Sequence, residues 1–395
     1  MKTIWIEGIE ISGLLNNLAI GFRDKGYRVI TCVDNYSKGN YVYDVNKYRF
    51  IRDLIDLKLL KYPFINKAII IFINKFLPKK RSNYLRKTQL KLFKKEVDFY
   101  LPVYNCQFIK ESDFKEIANN KKTKIIGYFL GSEIRVYKTF CTQFDVDPIS
   151  LGPEYLNESI KEKIEKLKYF EKYAHCIFSV PDQMSFANRP YYHLQLPFII
   201  DNFKFNPNQN KVPTIIHCPS NTNFKGTDII LKVVNDLKNE KIEFNFFFLQ
   251  NIPHSELIEK LSEVDILVDE LFGHGPGLLS FEAMACGCVA LTKYYEDSPS
   301  CFNPPIVSVN KYNLKEKLKE IILDVELRKK LCLQGRDYVI KNNSLSKVVD
   351  DMIIKIESKG DITKIKPNYF PDFQMVEKNF IDDEIKLILK NTIIN

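Results

Sequence analysis

The sequence predicts an α/β protein built from two parallel-sheet, Rossmann-like domains that face each other across a cleft. Three observations point to it. Short apolar strand-like runs alternate with amphipathic helical patterns in two separate series. A stretch without apolar periodicity, DNFKFNPNQNKVP from Asp201 to Pro213, separates the series as a linker. A glycine-rich turn from Gly273 to Gly277 opens an apolar helix in the second series, and Gly287 closes it.

The first series starts with a strand at residues 3–6. Gly8 and Gly13 break the chain before a helical pattern that carries Leu14, Leu15, Leu18, Ala19 and Phe22 and stops at Gly26. Residues 27–33 make the next strand, so the chain opens on a βαβ unit. The loop between Gly8 and Gly13 lacks the full dinucleotide fingerprint, which leaves a nicotinamide site without support. Further strands are expected at 98–103, 124–129 and 176–180.

The second series places strands at 214–217, 244–249, 264–268 and 288–292. Helices are expected at 227–237, 254–261, 277–286, 314–323, 326–342 and 346–357. The predicted division is residues 1–205 for the first domain and 213–345 for the second. Residues 346–395 form a terminal helix and tail that could cross back to the first domain. Ligands of such sheets sit at the carboxyl ends of the strands, which turns attention to the cleft.

Composition narrows the class. With 45% hydrophobic and 27% charged residues among 395, large-scale disorder is excluded. A formal charge of +9 suggests an anionic partner, although a lysine-rich surface of biased composition would give the same balance. The nine cysteines have no framework spacing, and an odd number of thiols fits a reducing, cytoplasmic location. Glu7 and Glu10 stand where a signal peptide would be apolar, and the longest apolar run, residues 68–73, is too short to span a bilayer.

Between Lys75 and Lys95 the chain is strongly basic, with Lys79, Lys80, Arg81, Arg86, Lys87, Lys91 and Lys94. Leu85, Leu90, Leu92 and Phe93 make it partly amphipathic. It reads either as a dock for the anionic inner face of a plasma membrane or as a solvated helix face. No nucleic-acid partner is expected.

The candidate chemistry gathers in the second domain. A helix start surrounded by Gly275 and Gly277 is an anion site. Glu282, on a helix otherwise lined by Leu278, Leu279, Phe281 and Met284, needs a polar partner to be buried. The segment HCPSNTNFKGTD, from His217 to Asp228, brings Ser220, Lys225 and Gly226 to another helix start. A cation at that end of a helix suggests an anionic ligand, and a solvated lysine is the plain alternative. It is no Walker A loop, because the glycine spacing and the Lys-Ser/Thr pair are missing. Asp145-x-Asp147 lies before Pro148, where capping explains it better than a metal. His175 opens a strand and suits a core role.

These motifs resemble the family 4-type glycosyltransferases of the GT-B fold (glycosyl transferases group 1). The frame from His274 to Glu282, followed by AMACG, is similar to their Glu, seven residues, Glu segment, with His274 in place of the first glutamate. The likeness covers about residues 1–350, including GSEIR at Gly131–Arg135 and HCIFSVPD at His175–Asp182. It implies a nucleotide-sugar donor, a UDP- or GDP-sugar acting as substrate and not as cofactor.

Glu282 would meet the ribose and Lys225 the diphosphate, with Ser220, Gly226, Gly275, Gly277 and Leu278 around them. His274 would face the sugar. Gly13, Ser132, Glu133 and Arg135 would line the acceptor side, with Glu10 also near the cleft, although Glu133 and Arg135 could equally form a surface ion pair. The expected reaction is retaining transfer to a lipid-linked or growing surface glycan of lipopolysaccharide or capsule type, with no metal required. A GT-B nucleotide-sugar epimerase and an inactive donor-binding scaffold are the alternatives.

Overall fold

The computed structural model describes residues 1–33, 43–46, 50–60, 63–76, 80–104, 109–179, 191–207, 209–273, 275–294, 303–358 and 383–394. His274 lies outside the described residues, as do Lys79, the end of the HCIFSVPD run and most of the tail.

Among the described residues two sheets form, and every strand pairing in them is parallel. The first comprises β1 (Thr3–Gly8), β2 (Arg28–Val33), β3 (Val45–Asn46), β4 (Phe99–Val103), β5 (Lys124–Phe129), β6 (Ala174–Ser179) and β7 (Tyr192–His193). Its seven strands run in the order β3-β2-β1-β4-β5-β6-β7. The second has five, β8 (Thr214–His217), β9 (Asn245–Phe248), β10 (Ile266–Val268), β11 (Val289–Thr292) and β12 (Val307–Ser308), in the order β12-β11-β10-β8-β9. Chain order therefore reverses between β1 and β4 in one sheet and between β8 and β10 in the other. Each reversal opens a crevice at the carboxyl end of the sheet.

The strands read as continuous apolar runs because both faces are covered, with β1, for instance, buried along its whole length. Trp5, Phe93, Tyr100 and Phe114 fill one side of the first sheet. Ile4, Ile6, Leu15, Leu18 and Phe22 fill the other. Helix Leu345–Glu357 completes that second side with Val348, Val349, Met352 and Ile356. The end of the chain thus crosses back onto the first half, and Lys25–Asp350 and Lys2–Glu357 ion pairs fasten it there. His175 joins the same contact, its Nε2 lying 2.9 Å from the Ile356 carbonyl.

The opposite exchange also occurs. After β5 the chain runs through helix Tyr137–Phe144, and Tyr137, Phe140, Cys141 and Leu151 share a core with Ile215, Ile230, Val268 and Leu291 of the second sheet. Phe140 stacks on Phe224 at 5.1 Å and 12°. Lys311 pairs with Asp145 across the same junction, and Asp147 caps the short helix after it by accepting from the Ile149 amide at 3.0 Å. The Asp145-x-Asp147 pair is thus placed in packing and capping contacts.

In the basic stretch, helix Arg81–Glu96 turns Leu85, Leu90, Leu92 and Phe93 into the core, so its apolar side faces inward. Lys87, Lys91 and Lys95 stay exposed on it, while Arg86 pairs with buried Asp113. The exposed apolar side belongs instead to the preceding helix, Pro63–Phe76, where Ile65, Ile69 and Phe72 share one face and are 58%, 37% and 54% exposed. Among the described residues no helix is long and apolar enough to cross a membrane.

Candidate active site

The strand that ends each crevice also sets its chemistry. β8 ends at His217, which is buried and bridges the Val268 carbonyl on Nδ1 (2.7 Å) and the Thr227 hydroxyl on Nε2 (2.9 Å). Burial pushes this imidazole below its usual value, so it stays neutral and ties β8, β10 and helix Thr227–Asn239 together. Asn221 then caps the turn Thr222–Lys225, its Oδ1 accepting from the Phe224 amide at 2.9 Å. That turn carries Lys225 toward the end of β10.

β10 is followed by Asp269 and Glu270, and both meet Lys225. Its Nζ donates to Asp269 Oδ1 at 2.6 Å and to Glu270 Oε2 at 2.9 Å, while the Ser280 hydroxyl donates to Asp269 Oδ2 at 2.6 Å. Burial pulls Lys225 down, but the two carboxylates outweigh it and hold the ammonium well above its ordinary range. Burial pushes Glu270 upward, against the pull of Lys225. Spacing along the sequence puts Glu270 out of the motif's register. The adjacency of β8 and β10 is what brings it to the site.

Gly273 and Gly277 lie against this cluster. Gly273 adopts φ +134°, and a Cβ there would stand 3.2 Å from Glu270 Oε1, so a side chain is both strained and crowded. Helix Leu278–Cys286 starts at Gly277 with no side-chain cap, leaving its first amides for a ligand. It ends at Gly287, which has φ +101°, where a Cβ would meet the Asn206 carbonyl oxygen at 2.3 Å.

One turn into that helix, Glu282 is buried and pairs with His254, Nε2 to Oε1 at 2.7 Å. The hydrogen bond to Glu282 raises the histidine. Burial raises the carboxyl, with His254 acting against it. Nothing in the local sequence of His254 marks it, because its partner lies 28 residues away.

Both crevices open into one cavity of about 430 Å³. Ile11, Leu14, Tyr104, Ser132 and Arg135 line it from the first half. Ser220, Glu270, Gly275, Gly277 and Leu278 line it from the second. Lys225, Gly226 and Glu282 stand behind that wall. Gly13 starts helix Leu14–Asp24, whose first amides are capped by Glu10 (Leu15 N at 3.2 Å, Asn16 N at 3.0 Å). Glu133 is also set back, its carboxylate accepting from the Leu130 and Gly131 amides at 2.6 and 2.7 Å and so shaping the turn that presents Ser132 and Arg135. Among the described residues, no group of three or more His, Cys, Asp or Glu could hold a metal ion.

This arrangement can be set beside known proteins. Residues 224–353 match the glycosyl transferase-like family. No curated protein sequence matches the chain. Sucrose-phosphate synthase from Thermosynechococcus elongatus is similar in structure, with a TM-score of 0.56 at 11% identity over 89% of this chain and 97% of that one. TarM aligns with a TM-score of 0.60 at 10% identity over 91% and 99%. An alpha-glucosyltransferase in complex with UDP-glucose and DNA aligns at 0.52, with 11% identity over 91% and 100%. A second TarM structure, from S. aureus, is a complex with Fondaparinux, alpha-GlcNAc-glycerol and UDP. The chain as a whole thus has the GT-B fold, and its residues 224–353 match the glycosyl transferase-like family.

Proposed function

We propose that the protein is a glycosyltransferase that moves a sugar from a UDP- or GDP-sugar to a lipid-linked or growing surface glycan, of lipopolysaccharide or capsule type, with retention at the anomeric carbon. The observation that carries the reading is the convergence at one sheet reversal of an uncapped helix start, a glycine turn and a lysine–carboxylate cluster, all against a cavity shared by both halves. The complexes of the structural neighbours, with UDP-glucose in one and UDP in another, support a nucleotide donor.

Glycosyl transfer builds positive charge on the sugar while the nucleoside diphosphate departs. The dominant task is to hold the leaving negative charge in place. Amides at Gly275, Gly277 and the start of helix Leu278–Cys286 do so without reorganising, which is electrostatic preorganisation. The motif assigns the ribose hydroxyls to Glu282, whose carboxylate sits behind the cavity wall against half-exposed His254. Glu270, held by Lys225, faces the sugar end of the cavity. His274 stays assigned to the sugar by the motif alone. The two halves keep water from the donor, which limits hydrolysis. The chemistry uses no metal.

The acceptor reading rests on the first half. Exposed Ile65, Ile69 and Phe72 beside exposed Lys80, Lys87 and Lys91 suit the anionic inner face of a cell membrane, where lipid-linked glycans are extended. A cytoplasmic enzyme, peripheral on that membrane, follows.

The test is product analysis with a panel of UDP- and GDP-sugars and glycan acceptors. Transfer to an acceptor that falls at least a hundredfold in Glu282→Ala supports the reading. Interconversion of free donor sugars without acceptor would establish an epimerase. Donor binding without either reaction would establish a scaffold.

A further inference from the structure

We propose that the first half holds an acceptor subsite for a neutral sugar, read by the Tyr104 and Ser132 hydroxyls. The attacking group then belongs to an existing glycan and not to a bare lipid phosphate. This rests on the nucleotide-sugar reading above and names the class of acceptor that would meet the donor.

The two helix starts at the cavity are treated in opposite ways. From the second half, Gly277 and Leu278 bring the uncapped start of helix Leu278–Cys286 to the wall. From the first half, Ile11 and Leu14 bring the start of helix Leu14–Asp24, and the chain closes that start itself. The Leu14 amide donates to the Ile11 carbonyl at 3.0 Å, and the Glu10 carboxylate accepts from the Leu15 and Asn16 amides at 3.2 and 3.0 Å. The Tyr43 hydroxyl donates to the same carboxylate at 2.5 Å. A phosphate arriving there would find the amides occupied and a carboxylate charge in its way. The anion of the reaction is thereby directed to the second half.

What the first half presents is a pair of hydroxyls. Tyr104 follows directly on β4, at the reversal of the first sheet, and its hydroxyl lies 2.9 Å from Ser132 Oγ, with both residues lining the cavity. Among the described residues this is the one hydrogen bond that either hydroxyl makes. Two hydroxyls that share one hydrogen keep one O–H and several lone pairs. A sugar hydroxyl both donates and accepts, so it can use both kinds of group. A phosphate mainly accepts, and could use only the single O–H.

The backbone at Tyr104 points the same way. Its φ is +67°, in the left-handed region that an aromatic residue rarely adopts. Such a residue persists only where the surrounding fold holds it, and such positions cluster at ligand sites. Ile11, Leu14 and Leu130 beside it offer apolar contact for the C–H face of a sugar ring. His193 on the same cavity is pushed down to about 3 by burial and is neutral. Arg135, the cation of that wall, is engaged with the Phe140 and Phe224 rings and with Tyr137.

The experiment is saturation-transfer NMR on the full chain with octyl glycosides of glucose, galactose, mannose and N-acetylglucosamine, with farnesyl phosphate as competitor. Calorimetric titration of UDP and GDP and melting temperatures are taken alongside. Tyr104→Phe keeps the ring and the backbone and removes one hydroxyl, and Ser132→Ala removes the other. At least one glycoside should bind the wild type, farnesyl phosphate should not displace it, and each variant should lose about fivefold in glycoside affinity. Nucleotide affinity and melting temperature should stay unchanged in both. Glycoside affinity unaltered in both variants, displacement by farnesyl phosphate, or no binding of any neutral glycoside would overturn the subsite while nucleotide binding left the donor reading intact. A wild-type chain that binds neither UDP nor GDP would remove the donor reading and the acceptor assignment with it.

Discussion

His254 and Glu282 face each other 2.7 Å apart, a half-exposed imidazole covering a carboxylate that is otherwise sealed in the core. The pair explains how an acid survives on an apolar helix, since an unpaired buried carboxylate would be costly.

The first prediction concerns its titration. The hydrogen bond to Glu282 holds His254 above the usual histidine value of about 6.5. A group raised in the folded state lends stability that is fully present below about pH 6.5 and fades as pH climbs through the folded-state value. NMR titration of the imidazole should therefore show an elevated midpoint in the wild type and a lower one in Glu282→Gln. Identical midpoints would contradict the pairing.

Lys225 offers a stability test. Replacing it with Met leaves Asp269 and Glu270 facing each other, both nearly sealed from solvent. Breaking a buried pair from one side costs about 3–5 kcal/mol. Urea denaturation of Lys225→Met should show a loss of that order, and adding Glu270→Gln should restore part of it by removing one unpaired charge. An additive double variant would mean that the two side chains do not interact.

Gly287 is predicted to tolerate no side chain. At φ +101°, with the Asn206 carbonyl oxygen 2.3 Å from where a Cβ would sit, alanine must displace the segment that joins the halves. Gly287→Ala should lower stability by about 2 kcal/mol or more through strain and displacement. Gly26, also at positive φ but in open space, should lose less on the same change.

Membrane docking is checked by sedimentation with vesicles containing anionic lipid. Wild type should co-sediment at physiological salt. The Ile65→Ser/Phe72→Ser pair should weaken binding through lost apolar insertion. Lys87→Glu/Lys91→Glu should weaken it by about 1 kcal/mol per lysine removed, with a reduced salt dependence. Binding that is indifferent to both pairs would place the contact elsewhere or exclude it.

The second half was the more legible in the sequence. Strand Thr214–His217 and helices His254–Leu261 and Leu314–Leu323 stand at the residues that periodicity indicates, because local pattern and burial agree there. Gly273, Gly277, Glu282 and Lys225 could likewise be singled out as site candidates from their residue types and neighbours. What pairs with them could not. Asp269, Glu270 and His254 reach their partners through strand order and helix packing, which no local spacing encodes. The same holds for Phe140, whose partner Phe224 lies across the junction. Leu85, Leu90, Leu92 and Phe93 illustrate the reverse limit. Their pattern shows an amphipathic helix but not which side meets water, and here the apolar side turns inward.

The return of helix Leu345–Glu357 to the first sheet has a consequence for synthesis. Leu15, Leu18 and Phe22 emerge early from the ribosome, yet Val348, Val349, Met352 and Ile356, which cover them, are translated only after the second sheet. The first half stays incomplete while the whole second half is made, an interval on the order of ten seconds at ordinary elongation rates. Its apolar flank is open during that time to chaperones or to other nascent chains. A premature stop after the second sheet would therefore damage the half of the protein that had been started first.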